Sequence, residues 1–381
     1  MTDSTIQLLR DLIAIDSVNP SLVPGGAGEN EIALAIAEVM RAAGMDVEIR
    51  EIQPGRPNVI GILEGQVPGP TLMFCGHMDT VSVEGMTRPF DPVERYGRIY
   101  GRGSGDMKGG VAAMIEAGTA LARSGGLKSG RLIIAAVADE EYASIGAEAL
   151  IKEWRADAAV VTEPTDLKIG IGHKGFSWVE VVMEGRAAHG SRPAEGRDAI
   201  LRMGRLLARL EELNHDLASR PPHPVLGCPS LHASLIEGGR EMSTYPDRCA
   251  LRLERRTVVG EHDTIALDEV NEILNSLRAE DSEIEASAQL MFHRRAYVTP
   301  EGHSLPSQIE SALRRSGLNT TREGMTYWAD TAVLGYAGIP SIIFGPGGEG
   351  YHGLEEYVRS EEVLTCRDAL IELARSYCAA D

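Results

Sequence analysis

Five short polar segments, spread in order along the chain, hold the residue types that bind metals and move protons. They are Gly-His77-Met-Asp79-Thr, Gly-Ser-Gly-Asp106-Met-Lys-Gly-Gly, Ala-Asp-Glu140-Glu141, Thr-Glu163-Pro and Tyr-His352-Gly. Each places a His, Asp or Glu at or just after an apolar run that reads as a strand, where an α/β sheet builds its site. Two imidazoles and three carboxylates are available as ligands, with one further carboxylate beside them. That inventory suits two divalent ions bridged by one aspartate, with a glutamate free to act as a base. Hydrolysis at a two-metal centre is the expected chemistry.

Taken singly, the segments carry less. A histidine two residues before an aspartate suits a ligand whose imidazole is oriented by a carboxylate, but such pairs also occur on plain surfaces. Gly101-Arg-Gly-Ser-Gly-Asp106 is glycine-rich enough to resemble a dinucleotide loop, yet Asp106 stands where the last glycine belongs, and its charge would repel a pyrophosphate. Glu140 and Glu141 at the mouth of an apolar strand repel each other unless a cation is near, although acidic residues also favour a helix N-terminus. Together the segments fit by charge. Three ionised carboxylates and one hydroxide balance two divalent ions, and mixed carboxylate, imidazole and water ligands suit zinc, with cobalt or manganese as substitutes.

The elements that must hold these residues are legible as alternating signals. Ile6, Leu9, Leu12 and Ile13 have helical spacing, and Glu31 to Ala43 reads as a helix stopped by Gly44. Strands are expected at Val47–Ile52, Val59–Leu63, Thr71–Cys75, Leu132–Ala138 and Ala158–Val161, with helices at Gly109–Arg123 and Gly146–Trp154. This alternation implies a mostly parallel sheet covered on both faces. After His173 the order becomes β-α-β-β-α-β, the ferredoxin-like split motif. The alternation of the first sheet resumes from Leu305. The expected organisation is a catalytic α/β domain in two parts, 1–173 and 294–381, interrupted by an inserted α+β domain at 174–293.

Composition narrows the function further. A net charge of −19 argues against a nucleic-acid groove or an anionic membrane as partner. Five cysteines without CxxC spacing argue against a disulfide framework and for a reducing compartment. The first fifteen residues lack a basic segment followed by an apolar core, and no apolar run approaches membrane-spanning length, so a cytoplasmic location is expected.

The motifs GHMDTV, GRGSGDMKGG, ADEE, TEP, AAHGSRP, IEGG…P, WAD and FGPGGEGYHGLEEYV together resemble the family of acetylornithine deacetylase, succinyl-diaminopimelate desuccinylase, aminoacylase and glutamate carboxypeptidase. The resemblance covers nearly the whole chain. It implies Asp106 as the bridging ligand, His77 and Glu163 on one ion, and Glu141 and His352 on the other. It further implies Glu140 as general base, Asp79 as partner of His77, and a cis peptide after Asp106. The inserted domain would be a lid and dimerisation domain, with the homodimer bringing the lid histidine, His189, to a partner's active site to stabilise an oxyanion. Arg256 would hold a substrate carboxylate, and its neighbour Arg255 is expected in solvent. Ser243 stands where the family usually has Asn, three residues before Pro246. Trp328-Ala-Asp330 resembles a segment near the pocket. The implied substrate is a small molecule with a free carboxylate, an N-acyl amino acid, whose amide is cleaved by a water activated between the ions. A metallo-exopeptidase is the alternative, and a metal-binding protein without catalysis a third reading.

Overall fold

Alternation along the strands sends side chains into two different cores. In the computed structural model, which describes residues 3–379, Leu72, Phe74, Leu132 and Ile134 join one core with the helices Ser4–Ile13, Asn30–Ala42, Gly109–Arg123 and Ser360–Tyr377. Met73, Cys75, Ile133, Ala135 and Val137 enter another with Leu150 and Leu334, from the helices Ile145–Glu153 and Thr331–Tyr336. A sheet apolar on both faces must be covered on both.

The chain forms two compact units. The first comprises Met1–Ile171, Thr299–Glu323 and Ala329–Asp381; the second comprises Gly172–Val298 with Gly324–Trp328. In the first, Arg56–His77 is one long element whose halves flank the strand Leu127–Val137. Along the first half the register descends, with Val59 opposite Ala136 and Leu63 opposite Leu132. Along the second it ascends, from Thr71 opposite Arg131 to His77 opposite Val137. Ala158–Val161 pairs parallel with Leu72–Cys75, and Ser341–Ile343 pairs parallel with Ala158–Val161. Asp46–Gln53 and Ile169–His173 add antiparallel neighbours on the outer sides. The sheet is therefore mixed, parallel at its centre, where the polar segments emerge.

The second unit follows the expected β-α-β-β-α-β order. Its antiparallel sheet runs Glu285–Arg294, Gly175–Glu184, Arg248–Thr257, Ser230–Gly238. The helices Ala199–Ser219 and Ile265–Glu280 bury Met203, Leu206, Val270 and Leu274 against Val179, Val181, Leu251 and Leu253. Arg255 departs from expectation. It is fully buried, in phase with Leu251 and Leu253, and its Nε and Nη2 donate to Glu269 (3.0 Å) and Glu261 (2.6 Å). A buried guanidinium needs such paired carboxylates. Among the described residues no helix is long and apolar enough to cross a membrane, and all five cysteines are free thiols.

Candidate metal centre

Three neighbouring parallel strands deliver three of the five ligand candidates, and Glu140 with them. His77 ends Arg56–His77, Leu127–Val137 runs on into Asp139-Glu140-Glu141, and Ala158–Val161 into Thr162-Glu163. Their alignment, with His77 opposite Val137 and Cys75 opposite Val161, brings the carboxyl ends together. Asp106 comes from the turn before the helix Gly109–Arg123, and the Asp106–Met107 peptide is cis. The glycines that follow have a packing reason: a Cβ on Gly110 would lie 1.9 Å from the carbonyl oxygen of Thr162, beside Glu163. His352 lies in the loop between Gly348–Glu349 and Tyr357–Arg359.

These side chains form two groups that share Asp106. His77, Asp106 and Glu163 can each offer one ligand atom within 4.8 Å of the others, and so can Asp106, Glu141 and His352. Asp106 Oδ1 lies 3.1 Å from His77 Nε2, and its Oδ2 lies 3.2 Å from His352 Nε2. His77 Nε2 is 3.6 Å from Glu163 Oε1, and His352 Nε2 is 3.3 Å from Glu141 Oε2. Glu140 approaches the first group, its Oε2 lying 4.0 Å from His77 Nε2.

The electrostatics fit cations. Burial, then the charge of Glu163, raises the Glu140 pKa well above the usual carboxylate range. Burial and the charges of Asp106 and Glu141 likewise raise Glu163 against the opposing pull of His77. Burial and the Asp106 charge push Glu141 up to about 7. Asp106 goes the other way: hydrogen bonds from His352 and His77 outweigh burial and hold it well below the ordinary value. Carboxylates crowded into one buried place oppose each other's ionisation unless positive charge joins them. Glu141 Oε1 is also buried without a hydrogen-bond partner, a lone pair directed at no proton. The donor set, two imidazoles with carboxylates, is that of a divalent transition metal.

The orientation of His77 differs in one detail from expectation. Its Nδ1 lies 3.0 Å from the main-chain oxygen of Asp79 and 3.6 Å from the nearest carboxylate oxygen. The Asp79 carboxylate instead accepts the N–H groups of Glu140 (3.1 Å) and Glu141 (3.2 Å). It thus sets the turn carrying both glutamates.

Behind it lies a buried network that motif reading missed. Asn19 Nδ2 donates to Asp79 Oδ2 (2.7 Å) and Asp139 Oδ1 (3.0 Å), while Arg56 pairs with Asp139 (2.8 Å) and Glu29. Asp139 needs that support, because it has φ +70°, a region most side chains avoid. The only local signal was Asp139 itself, heading the Asp-Glu-Glu run.

The remaining candidates belong to the second unit. His189 is exposed and bridges to Thr244, and Gly190 N–H donates to the Ser243 carbonyl (2.7 Å), so His189 and Ser243 lie on adjoining loops. Ser191 N–H lies 3.2 Å from His189 Nδ1, and Ser191 Oγ lies 2.8 Å from the same nitrogen, so the ring is held by Ser191 through that side. Arg256 stands on the sheet face away from the helices. Its Nε donates to Glu254 (2.6 Å), and its guanidinium carbon lies 5.4 Å from the centre of the Phe176 ring. Trp328 is half-buried against His173 and Phe176.

Comparison with known proteins gives this geometry a family. The pattern of Peptidase family M20/M25/M40 matches residues 73–376, a span holding every ligand candidate. The chain belongs to that family. It is a metallohydrolase, similar to acetylornithine deacetylase of Vibrio atlanticus, with 28% identity over 98% of this chain and 99% of the relative. A tripeptidase from Staphylococcus aureus shares the fold at a TM-score of 0.82 and 21% identity, covering 98% of each chain. So does a dinuclear metal-binding M20 peptidase from Bacillus subtilis, at a TM-score of 0.74 and 17% identity, covering 98% of this chain and 97% of that one.

Proposed function

We propose that this metallohydrolase cleaves the amide bond of N-acyl amino acids, acetylated ones first, at two divalent metal ions. The observation that carries the metal reading is the division of Asp106, one oxygen toward His77 and the other toward His352. We assign His77, Asp106 and Glu163 to one ion and Asp106, Glu141 and His352 to the other. Zinc suits this donor set best, with cobalt or manganese able to replace it. Ions so held would polarise the amide carbonyl and make water acidic near neutral pH.

The protein's own groups do the rest. Glu140 takes the proton of the attacking water and later gives it to the leaving amine. Its burial among carboxylates suits a group that must hold a proton between two steps. His189 donates its Nε2 hydrogen to the developing oxyanion. Arg256 holds the free α-carboxylate of the substrate through its terminal nitrogens, with Ser243 as a further donor. Similarity to acetylornithine deacetylase over nearly the full length favours a deacylase over an exopeptidase.

We also propose a homodimer through the second unit. Its edge strand Ser230–Gly238 exposes Leu235 and Ile236, each over half accessible. An unpaired apolar edge is stabilised by a second copy, which could also deliver His189 to its partner's centre. Free thiols fit a cytoplasmic location. The deciding experiment compares acetyl-amino acids, succinyl-amino acids and di- and tripeptides, with and without metal removal by a chelator. Acetyl-amino acids should turn over fastest and only with metal. Faster cleavage of peptides would assign the chain to the exopeptidases.

A further inference from the structure

Glu356 follows His352 by four residues in the same loop, and its carboxylate is buried. It belongs to neither ligand group. Its Oε1 accepts the backbone N–H groups of Gly105 (2.9 Å) and Asp106 (3.0 Å). Its Oε2 accepts Gly103 N–H (3.0 Å) and Arg102 Nη1 (2.7 Å). The main chain adds Gly101 N–H to the Glu356 carbonyl (3.1 Å) and Arg102 Nη2 to the Gly353 carbonyl (2.9 Å). Arg102 also donates to the Ser82 carbonyl, so one buried ion pair joins the loops after His77, before Asp106 and after His352.

A buried carboxylate is costly unless its lone pairs are met, and four donors meet this one. The turn gains as much. Its amides at 103, 105 and 106 converge on one anion, the concave arrangement in which successive N–H groups are satisfied together. The geometry points to Glu356 as the positioning residue that sets Asp106 relative to His352, and thereby completes the Asp106, Glu141 and His352 group. This rests on the two-metal reading above. The other group is placed differently, because His77 and Glu163 follow neighbouring parallel strands whose ladder does not involve Glu356. Loss of Glu356 should therefore injure the Asp106, Glu141 and His352 group most, and the His77 and Glu163 group only through the Asp106 that both share.

Glutamine cannot replace it. Each Glu356 oxygen accepts two hydrogens, so an amide NH2 in either place would face other donors. The test is titration of metal-free protein with Co2+, followed by visible absorption, together with hydrogen exchange of the metal-free chain. Wild type should bind two equivalents. Glu356→Gln should bind the second about ten- to hundredfold more weakly, as Glu141→Gln should, and the first with a clearly smaller loss. Amides 103–106 should exchange faster in Glu356→Gln, while those of Thr71–His77 stay protected. Glu356→Asp, which keeps the charge but loses reach, should show the same pattern in smaller degree, and it decides alone if Glu356→Gln does not fold. Leu370→Ala, a core change in the C-terminal helix, should lower Tm and leave both Co2+ affinities unchanged. Wild-type affinity and exchange in the Glu356 variants, or equal weakening of both sites, would overturn the assignment. Fewer than two equivalents bound by wild type would overturn the two-metal reading and this proposal with it.

Discussion

In the first unit every ligand candidate ends a strand or stands in a loop tied down by buried hydrogen bonds. In the second, His189 and Ser243 lie exposed on adjoining loops, and Arg256 shares the sheet face away from the helices with Glu254. The groups proposed to hold ions are thus fixed by the fold, and two of the three proposed to meet a substrate lie on exposed loops. Substitutions should divide along the same line, those in the first unit affecting metal and chemistry, those in the second affecting turnover and preference with the metal retained.

Glu140→Gln should have the largest effect. Turnover should fall by about a hundredfold to ten-thousandfold, the usual scale for losing a general acid–base, with metal content near wild type by elemental analysis. An active Glu140→Gln enzyme would move the base elsewhere. Next, the paired changes Leu235→Asp and Ile236→Asp should yield a monomer in ultracentrifugation. If the partner copy supplies His189, the rate should fall by about a hundredfold to a thousandfold, the scale of one oxyanion donor, and His189→Ala in the dimer should match it. A fully active monomer would break that link.

The third prediction concerns acid. Burial depresses the His173 pKa to about 4, against a weaker opposing hydrogen bond from its Nδ1 to the Lys174 carbonyl (2.9 Å). Its Nε2 is buried without a partner. The unfolded chain, with a histidine pKa of about 6.5, takes up this proton first. The stability gained by keeping His173 neutral is therefore full above pH 6.5 and is lost as pH falls through 4, about 3 kcal/mol in all. Denaturant unfolding followed by tryptophan fluorescence should show wild type losing stability faster than His173→Phe across that window; parallel slopes would remove His173 from the account. The smallest effect is expected at Arg256. Its loss should cost about 1.5–3 kcal/mol, roughly ten- to hundredfold in kcat/KM, for free-acid substrates and little for their C-terminal amides. Equal wild-type rates on acid and amide would give Arg256 another role.

His77, Glu141 and Glu163 were legible because each follows an apolar run that reads as a buried strand, and Asp106 and His352 because their Gly-rich segments complete the same donor set. Arg255 was misread although the pattern contained it. It lies in phase with Leu251 and Leu253, but a charged residue on a strand ordinarily marks the solvent face, and its compensating Glu261 and Glu269 come from the following loop and helix. Asn19 was not legible at all. It acts on Asp79 and Asp139, remote in the chain, and nothing near it marks that encounter. The split of Arg56–His77 around Leu127–Val137 was hidden for the same reason, since local propensity shows strands but not which strand inserts between them.

That inserted strand dictates an order of assembly. While the chain is being made, the arms of Arg56–His77 cannot find their shared neighbour until Leu127–Val137 has emerged, so a shorter nascent chain carries open strand edges on both arms. Once Glu163 is out, the residues of the His77, Asp106 and Glu163 group are all present. The other candidate group is incomplete until synthesis reaches His352. A chain cut short before His352 would thus carry one candidate group complete and the other without its histidine.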